Sequence, residues 1–295
     1  MTSFPSSAAE IIALGNAELG RASSLYRGGR LLQILTFAAS IAAIFASGIS
    51  TYFLALVALV SQSSSWATRY RARLLQSVGD EARSRGLLLD ALDTSTEPVD
   101  MAILLNRFSS KARLEAAGSE NPDYFASDSQ PGLRRLRENL QENAFWAKCQ
   151  YDSVVTDYYK QFAAFAVVAL LAVLVAIPLA PRDQAANLAR ILVAALTFGA
   201  GFTQLNEIQL WKAAARRLEA VDRRLESLVP FSDIALSQSR LESVLAVFAD
   251  YCVATTAAPP VPTKIYLRDR IRLNAVWDDR RKRYRDAHAE GGPPA

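Results

Sequence analysis

The chain has 295 residues, of which 51% are hydrophobic, and its 33 Lys and Arg residues nearly balance its 29 Asp and Glu residues. The net charge of +4 is small for this length and speaks against DNA or RNA as a partner. Two cysteines, Cys149 and Cys252, are too few for a disulfide framework and fit a reducing compartment.

Residues 1–30 are predicted to form a cytoplasmic helix that leads into an apolar block, residues 31–68, which contains no charged side chain. A single helix over that block would be about 57 Å long, nearly twice the hydrocarbon core of a bilayer. Gly48 lies in its middle, in the segment SGIST, and permits a tight turn. We therefore predict a hairpin of two short transmembrane helices over residues 31–68.

A second apolar region, residues 161–206, predicts another hairpin. The segment QFAAFAVVALLAVLVAIPLAP is long enough for a full span, and Pro178 and Pro181 are expected to end its helix. The return span follows the turn PRDQAAN and contains Arg190, which is close enough to one end to reach the membrane surface. Four transmembrane helices in two hairpins are therefore expected.

The segments outside the hairpins are rich in Arg, Asp and Glu and have apolar residues at helical spacing. Residues 69–160 predict a cytoplasmic helical insertion with one internal loop. Residues 207–295 predict a cytoplasmic helical tail, with a helix capped by Ser232 and a short last helix after TTAAPPVPTK. Because no stretch shows convincing strand alternation, the predicted fold class is an all-α integral membrane protein.

The positive charges near the predicted spans define an orientation. Arg21, Arg27 and Arg30 precede the first span, and further Arg and Lys residues follow the second, precede the third and follow the fourth. The two hairpin turns have no net charge. Because Lys and Arg concentrate on the cytoplasmic side of membrane proteins, we expect both termini and residues 69–160 to be cytoplasmic.

The two halves of the chain resemble each other. Tyr26 before the first hairpin matches Tyr159 before the second, and Trp66 after the first matches Trp211 after the second. Aromatic residues favour the membrane surface because one end of the ring is apolar and the other polar. The similarity is consistent with an internal duplication, and equally with two unrelated hairpins that obey the same rules.

Residues that carry chemistry are sparse. His288 is the sole histidine and lies in the polar tail, so no transition-metal site is expected. Asp278 and Asp279 are adjacent to Arg residues and are interpreted as surface ion pairs. With no phosphate-binding loop and no nucleophile motif, the sequence predicts neither an enzyme nor a bound cofactor.

Polar residues inside the predicted spans recur on one side of a helix. They could line a water path in an assembly of several chains, or they could let helices pack closely within one chain. The third span has no polar side chain and is expected to face lipid. The candidate pore-lining residues are Gln33, Thr36, Ser40 and Ser47 in the first span and Thr197, Gly201 and Gln204 in the fourth.

This layout, together with the stretch ENAFWAK at residues 142–148 and the LYR entry to the first hairpin, resembles one family. These are the four-transmembrane pore-forming effectors associated with bacterial anti-phage systems that use SMODS-type nucleotidyltransferases. The resemblance implies a homo-oligomer in the bacterial inner membrane, with no enzymatic activity. It also implies a cyclic oligonucleotide ligand made by a partner nucleotidyltransferase, upon which the effector permeabilises the membrane.

Two other functions are compatible with the same residues. The chain could be a small ion channel or transport accessory, or a scaffold that conducts nothing and binds a partner through its helices. A pore requires the polar stripes to be wetted, whereas a scaffold does not. A nucleotidyltransferase gene beside the one for this chain would favour the effector.

Overall fold

In a computed structural model, which describes residues 7–93, 98–122, 124–179, 184–228 and 238–290, the chain is helical throughout and these residues contain no strand. The predicted all-α class is confirmed. The helices are α1 (Ala8–Phe45), α2 (Ile49–Leu92), α3 (Pro98–Arg107), α4 (Ser110–Ala116), α5 (Leu133–Leu179), α6 (Gln184–Ser227), α7 (Gln238–Ala257) and α8 (Thr263–Glu290).

The first hairpin consists of α1 and α2, which pack against each other along most of their length. The side chain of Ser7 caps α1 by accepting a hydrogen bond from the backbone N–H of Glu10. The turn lies between Phe45 and Ile49, where Gly48 adopts a φ of 61° that favours glycine. The chain therefore reverses within the segment where the sequence predicted a turn.

Close contact between α1 and α2 depends on glycines. A Cβ atom on Gly79 of α2 would lie 3.0 Å from the carbonyl oxygen of Gly15 of α1. A Cβ atom on Gly29 would lie 2.8 Å from Oγ1 of Thr68 and 2.9 Å from Cγ of Arg69. All three distances are shorter than ordinary contacts of a Cβ atom, so α1 and α2 approach more closely here than residues with a side chain would allow.

The second hairpin, α5 and α6, differs from expectation at its turn. Pro178 was predicted to end the third span, but α5 continues through it to Leu179. A proline one residue from a helix end disrupts only the last turn, which explains why the helix is not stopped earlier. Pro181 lies outside the described residues, and α6 begins at Gln184.

The helices of the tail also differ from the prediction. The predicted cap Ser232 lies outside the described residues, and α7 begins at Gln238. The last helix was predicted to be short, yet α8 has 28 residues. Its sequence contains no Pro or Gly between Thr263 and Glu290, so nothing in it interrupts the helix.

The helices outside the two apolar blocks form one packed unit, which we call the charged body: the described parts of residues 7–30, 69–160 and 207–290. Its largest core includes Tyr26 of α1, Tyr158 of α5 and Trp211 of α6, each at most 1% exposed. The side chain of Trp211 donates a hydrogen bond of 2.9 Å to the carbonyl oxygen of Pro259. This bond fixes the link between α7 and α8 against α6.

The remaining parts of the two hairpins, the described residues of 31–68 and 161–206, form what we call the apolar end. In contrast to the charged body, it exposes large apolar side chains. Burying such side chains is the main favourable contribution to folding, so an exposed band of them requires an apolar environment. The most exposed are Leu31, Ile49, Phe53, Leu56, Val60, Val167, Leu170, Leu171, Leu174 and Phe202.

Two stretches of helix, Ala8–Phe45 and Leu133–Ala172, are long and apolar enough to cross a membrane. Only 28% and 11% of their most apolar windows are buried inside the chain, whereas the core helix of a soluble protein would be mostly buried. The α2 helix falls short of the same criterion because its apolar run ends in the polar stretch from Ser61 to Ser65. Among the residues that the structure describes, two of the four expected spans therefore meet it.

The predicted domain limits do not coincide with breaks in the chain. Residues 30 and 31 lie within α1, and residues 68 and 69 lie within α2. Likewise α5 and α6 run without interruption from the apolar end into the charged body. The apolar end and the charged body are therefore joined by four continuous helices.

Candidate functional site

A buried ion pair lies where the apolar end meets the charged body. Nη1 of Arg69 on α2 is 2.5 Å from Oε1 of Glu207 on α6, and the two side chains are 7% and 4% exposed. Burying two charges is expensive unless each has good partners, and removing either leaves the other uncompensated. This pair therefore joins the two hairpins at their common base.

Gln33, a predicted pore-lining residue, belongs to the same cluster. Its amide oxygen accepts a hydrogen bond from Nη2 of Arg69, and its Nε2 donates one of 2.7 Å to the carbonyl oxygen of Ala200. Gln33 therefore bridges α1 to α2 and to α6. The oxygen and the nitrogen of the Gln33 amide both form hydrogen bonds within the chain. The amide oxygen thereby gives Nη2 of the buried Arg69 guanidinium an acceptor.

Tyr26 completes this set, which we call the junction network: Tyr26, Gln33, Arg69 and Glu207. The hydroxyl of Tyr26 donates a hydrogen bond of 2.5 Å to Oε2 of Glu207, and Arg69 lies 5.3 Å from the centre of its ring. Burial and the neighbouring Tyr158 and Glu207 raise the pKa of Tyr26 well above its usual range. Tyr26 thus stays protonated and acts as a donor.

A second contact between the hairpins lies beside the junction network. Arg30 of α1 stacks its guanidinium 3.8 Å from the ring centre of Tyr158 and donates a hydrogen bond to the side-chain oxygen of Gln161. Burial raises the pKa of Tyr158 to about 12. The rings of Phe37 and Phe165, 5.0 Å apart, continue the contact into the apolar end.

The junction network is suited to holding the two hairpins together. It contains one ion pair, one amide and one tyrosine kept neutral, and these side chains are engaged with one another. Nε of Arg69 and the hydroxyl of Tyr158 are buried and lack a hydrogen-bond partner. Such unmet polar groups lower the free energy required to separate the hairpins if water can enter.

Of the other pore-lining candidates in the first span, Thr36 and Ser40 are buried inside the protein. The hydroxyl of Thr36 is fully buried, donates 3.0 Å to the carbonyl oxygen of Leu32 and lies 3.5 Å from that of Ala58 on α2. Ser40, one turn further along α1, is 1% exposed and its hydroxyl has no partner. Ser47 is exposed in the turn. Thr36 thus packs α1 against α2.

The candidates in the fourth span lie beside α5 and α1. Gln204 is 7% exposed, and its Nε2 lies 3.5 Å from the carbonyl oxygen of Tyr158. Gly201 is partly buried, and a Cβ atom on it would lie 3.9 Å from the ring of Phe162. Thr197 is also partly buried. Of the seven candidates, only Gln33 belongs to the junction network.

The third span is exposed, as its lack of polar side chains predicted. Val167, Leu170, Leu171 and Leu174 are each more than half exposed. Ala172 is the exception, with 8% of its surface exposed. A substitution that probes the exposed face of α5 must therefore avoid Ala172.

The matched aromatic residues of the two halves have different environments. Tyr26 and Trp211 are buried and make an edge-to-face contact, with ring centres 6.1 Å apart. Tyr159 and Trp66 are 37% and 54% exposed. The position that corresponds to Tyr26 in packing is Tyr158, whose ring centre lies 4.6 Å from that of Trp211.

The sequence predicted no role for Glu207 and placed Arg69 only among the basic residues that follow the second span. The available signal was their position: each is the first charge after an apolar stretch, and the two have opposite signs. Two such residues at the same end of adjacent hairpins are able to pair in a region of low dielectric constant.

Comparisons of this chain with protein-family models, with curated proteins and with solved structures find no match. The resemblance to the effector family therefore depends on the layout of the chain and on the residues that carry it. The assignment of the junction network depends only on the distances and contacts in the structure.

Proposed function

We propose that the apolar end is inserted in a membrane as two hairpins, four spans in all, with the charged body and both termini in the cytoplasm. The observation that carries this proposal is the exposed band of large apolar side chains on α1, α2 and α5 beside a well-packed charged body. Water would make that band unfavourable, whereas lipid chains would cover it.

The function proposed for such a protein is that of an effector in bacterial anti-phage defence. On activation by a cyclic oligonucleotide from a partner nucleotidyltransferase, several copies would assemble in the inner membrane and permeabilise it. The resemblance supplies this function. The geometry supports the need for assembly, because Thr36 and Gln33 are engaged inside one chain and leave no path of their own.

The junction network is the proposed control point. Separation of the two hairpins requires loss of the contacts that Arg69 and Glu207 make across it. Since α1, α2, α5 and α6 are continuous, a ligand that moves the charged body would act on these contacts directly. The released polar groups would then line the opening between the hairpins, where water satisfies them.

Dye entry on expression tests the effector function. Co-expression of the chain with the nucleotidyltransferase should admit a membrane-impermeant dye, and chemical cross-linking should yield oligomers under the same conditions. The chain expressed without the nucleotidyltransferase is the control and should admit little. Dye entry with only monomers in the membrane would contradict the assembly step, and intact cells with well-expressed chain and nucleotidyltransferase would contradict the function.

A second candidate, the scaffold that conducts nothing, is favoured by one observation. Thr36 and Ser40 are buried within the chain, as expected of residues that pack helices together. A scaffold would insert in the membrane and admit no dye under any condition, so the same experiment distinguishes it from the effector.

A further inference from the structure

Basic residues without a carboxylate partner, four of them exposed and Lys212 partly buried, surround the base of the apolar end. They lie on α1, α2, α5 and α6, within six residues, or about 9 Å of helix axis, of the limits of the apolar blocks. Each has no ion pair or side-chain hydrogen bond among the described residues. We call this set the basic belt: Arg27, Arg71, Arg73, Lys160 and Lys212.

Contacts between helices show that the members of the belt lie within about 12 Å of one another along the helix axes. The hydroxyl of Ser65 donates 2.7 Å to the carbonyl oxygen of Gly29, which aligns the α1 and α2 members. Gln161 accepts a hydrogen bond from Arg30, which brings the start of the α5 apolar block to the same level. A contact of 3.4 Å between Gln209 and the hydroxyl of Tyr159 aligns α6 with α5.

Acidic groups at this level are already engaged. Glu207 is buried against Arg69, and the carboxylate of Asp157 lies 2.6 Å from Nη1 of Arg268. Further from the apolar end, basic side chains also find carboxylates, as Arg135 does with Asp90 at 2.8 Å. The belt is therefore a band of uncompensated positive charge next to an apolar surface.

We infer that the basic belt binds the anionic headgroups of the lipid leaflet in which the apolar end is inserted. The inference rests on the proposed membrane insertion and adds a lipid class to it. An apolar band directly below a ring of free cations matches the order of acyl chain and phosphate in a bilayer. Each Lys or Arg near an anionic leaflet attracts its headgroups, and several of them select anionic over zwitterionic lipid.

Trp66 offers a local probe of this contact. It is 54% exposed on α2, one to two turns from Arg71 and Arg73, whereas Trp211 and Trp277 are 0% and 7% exposed. Trp146 lies far outside the apolar end, about 22 Å of helix axis before Gln161. Lipids with brominated acyl chains quench tryptophan fluorescence on contact, so quenching reports mainly which lipid lies beside Trp66.

The experiment uses the full chain in phosphatidylcholine vesicles that contain phosphatidylglycerol, with the bromine placed on one lipid or the other at equal mole fraction. We expect brominated phosphatidylglycerol to quench about two-fold more than brominated phosphatidylcholine, with the difference falling as salt rises. Arg71→Gln with Arg73→Gln should abolish the preference. Arg223→Gln with Lys282→Gln removes the same charge far from the apolar end and should leave it unchanged.

The outcomes separate the two proposals. Equal quenching by both lipids in the unsubstituted chain would overturn the lipid preference while leaving membrane insertion intact. Preferential quenching that survives Arg71→Gln with Arg73→Gln would overturn the role of the belt beside Trp66. Absence of quenching by either lipid would overturn insertion itself. A Trp66→Phe variant, which should lose the quenching, verifies that the probe is this tryptophan.

Discussion

The guanidinium of Arg69 and the carboxylate of Glu207, 138 residues apart, meet at 2.5 Å and lie almost entirely out of contact with solvent. Both side chains continue into further contacts, with Gln33 and Tyr26. The pair therefore determines how the first hairpin sits against the second.

Removal of one member of this pair should destabilise the protein strongly. Glu207→Gln or Arg69→Gln leaves a buried charge without its partner, for which we expect a loss of about 3–5 kcal/mol in the free energy of unfolding. Arg69→Met with Glu207→Leu should lose far less, because no charge remains buried. Thermal unfolding of the purified protein measures both, and equal losses in single and double variants would contradict a coupled pair.

Adjacent glycines on α1 should respond in opposite directions to the same substitution. At Gly29 an added methyl group would collide with Thr68 and Arg69, whereas at Gly28 nothing lies within 4 Å. Gly29→Ala should therefore destabilise by about 1–3 kcal/mol. Gly28→Ala should stabilise by up to about 1 kcal/mol, because alanine is the better helix former. Thermal unfolding of the pair tests whether α1 and α2 are as close as described.

A buried carboxylate in the charged body should make stability depend on pH. Oδ2 of Asp80 on α2 is buried without a hydrogen-bond partner, near Arg83, Tyr151 and Tyr251. Burial raises its pKa to about 6, although Arg83 opposes the rise. The folded state therefore prefers the protonated acid more than the unfolded state does.

The sign follows from that preference. Lowering the pH from 7 through 6 toward 4 should stabilise the protein, by up to about 3 kcal/mol from Asp80, and below its unfolded pKa the gain should be complete. Burial also raises the pKa of Glu142, so the comparison is made with Asp80→Asn. That variant should be more stable at pH 7 and should gain less on acidification. An unchanged pH profile would contradict the burial of a charge at Asp80.

A test of the pore-lining prediction requires variants that distinguish residues that line a water path from residues that only pack helices together. Ser40→Ala removes a buried hydroxyl that has no partner, so it should not lower stability. If the stripe lines the open state, Ser40→Ala combined with Gln204→Leu should reduce dye entry in well-expressed protein. Gln33→Leu should do so too, but with a loss of stability, since Gln33 holds Arg69.

The matched control for these variants is Val168→Leu, on the exposed face of α5. It should alter neither dye entry nor stability. Full dye entry from the well-expressed Ser40→Ala, Gln204→Leu protein would remove these residues from the pore and favour the packing interpretation.

The course of the hairpins could be predicted from the sequence because it depends on local properties. The absence of charge over residues 31–68 and the freedom of Gly48 suffice to predict two helices and a turn. The prediction that Pro178 ends the helix was wrong because a proline near a helix end is tolerated when only the last turn is affected. The length of α8 was underestimated although no breaker lies within it.

The junction network could not be predicted in the same way. The partner of Arg69 depends on how two distant hairpins pack, and the positions and opposite charges of residues 69 and 207 do not by themselves show that the two side chains meet. Burial likewise decides the state of Asp80, which in the sequence is one of many acids among arginines. The polar stripe was visible in the sequence but its neighbours were not, so Thr36 was a candidate both for a water path and for a packing contact such as the one with Ala58.

The membrane topology tests the account most directly. Alkaline phosphatase, which is active only outside the cytoplasm, can be fused after Ser50 just past the first turn, after Gln184 at the second turn, and after Glu115 in the charged body. The account predicts active fusions at Ser50 and Gln184 and an inactive fusion at Glu115. An active fusion at Glu115, or inactive fusions at both turns, would contradict insertion of the apolar end as two hairpins.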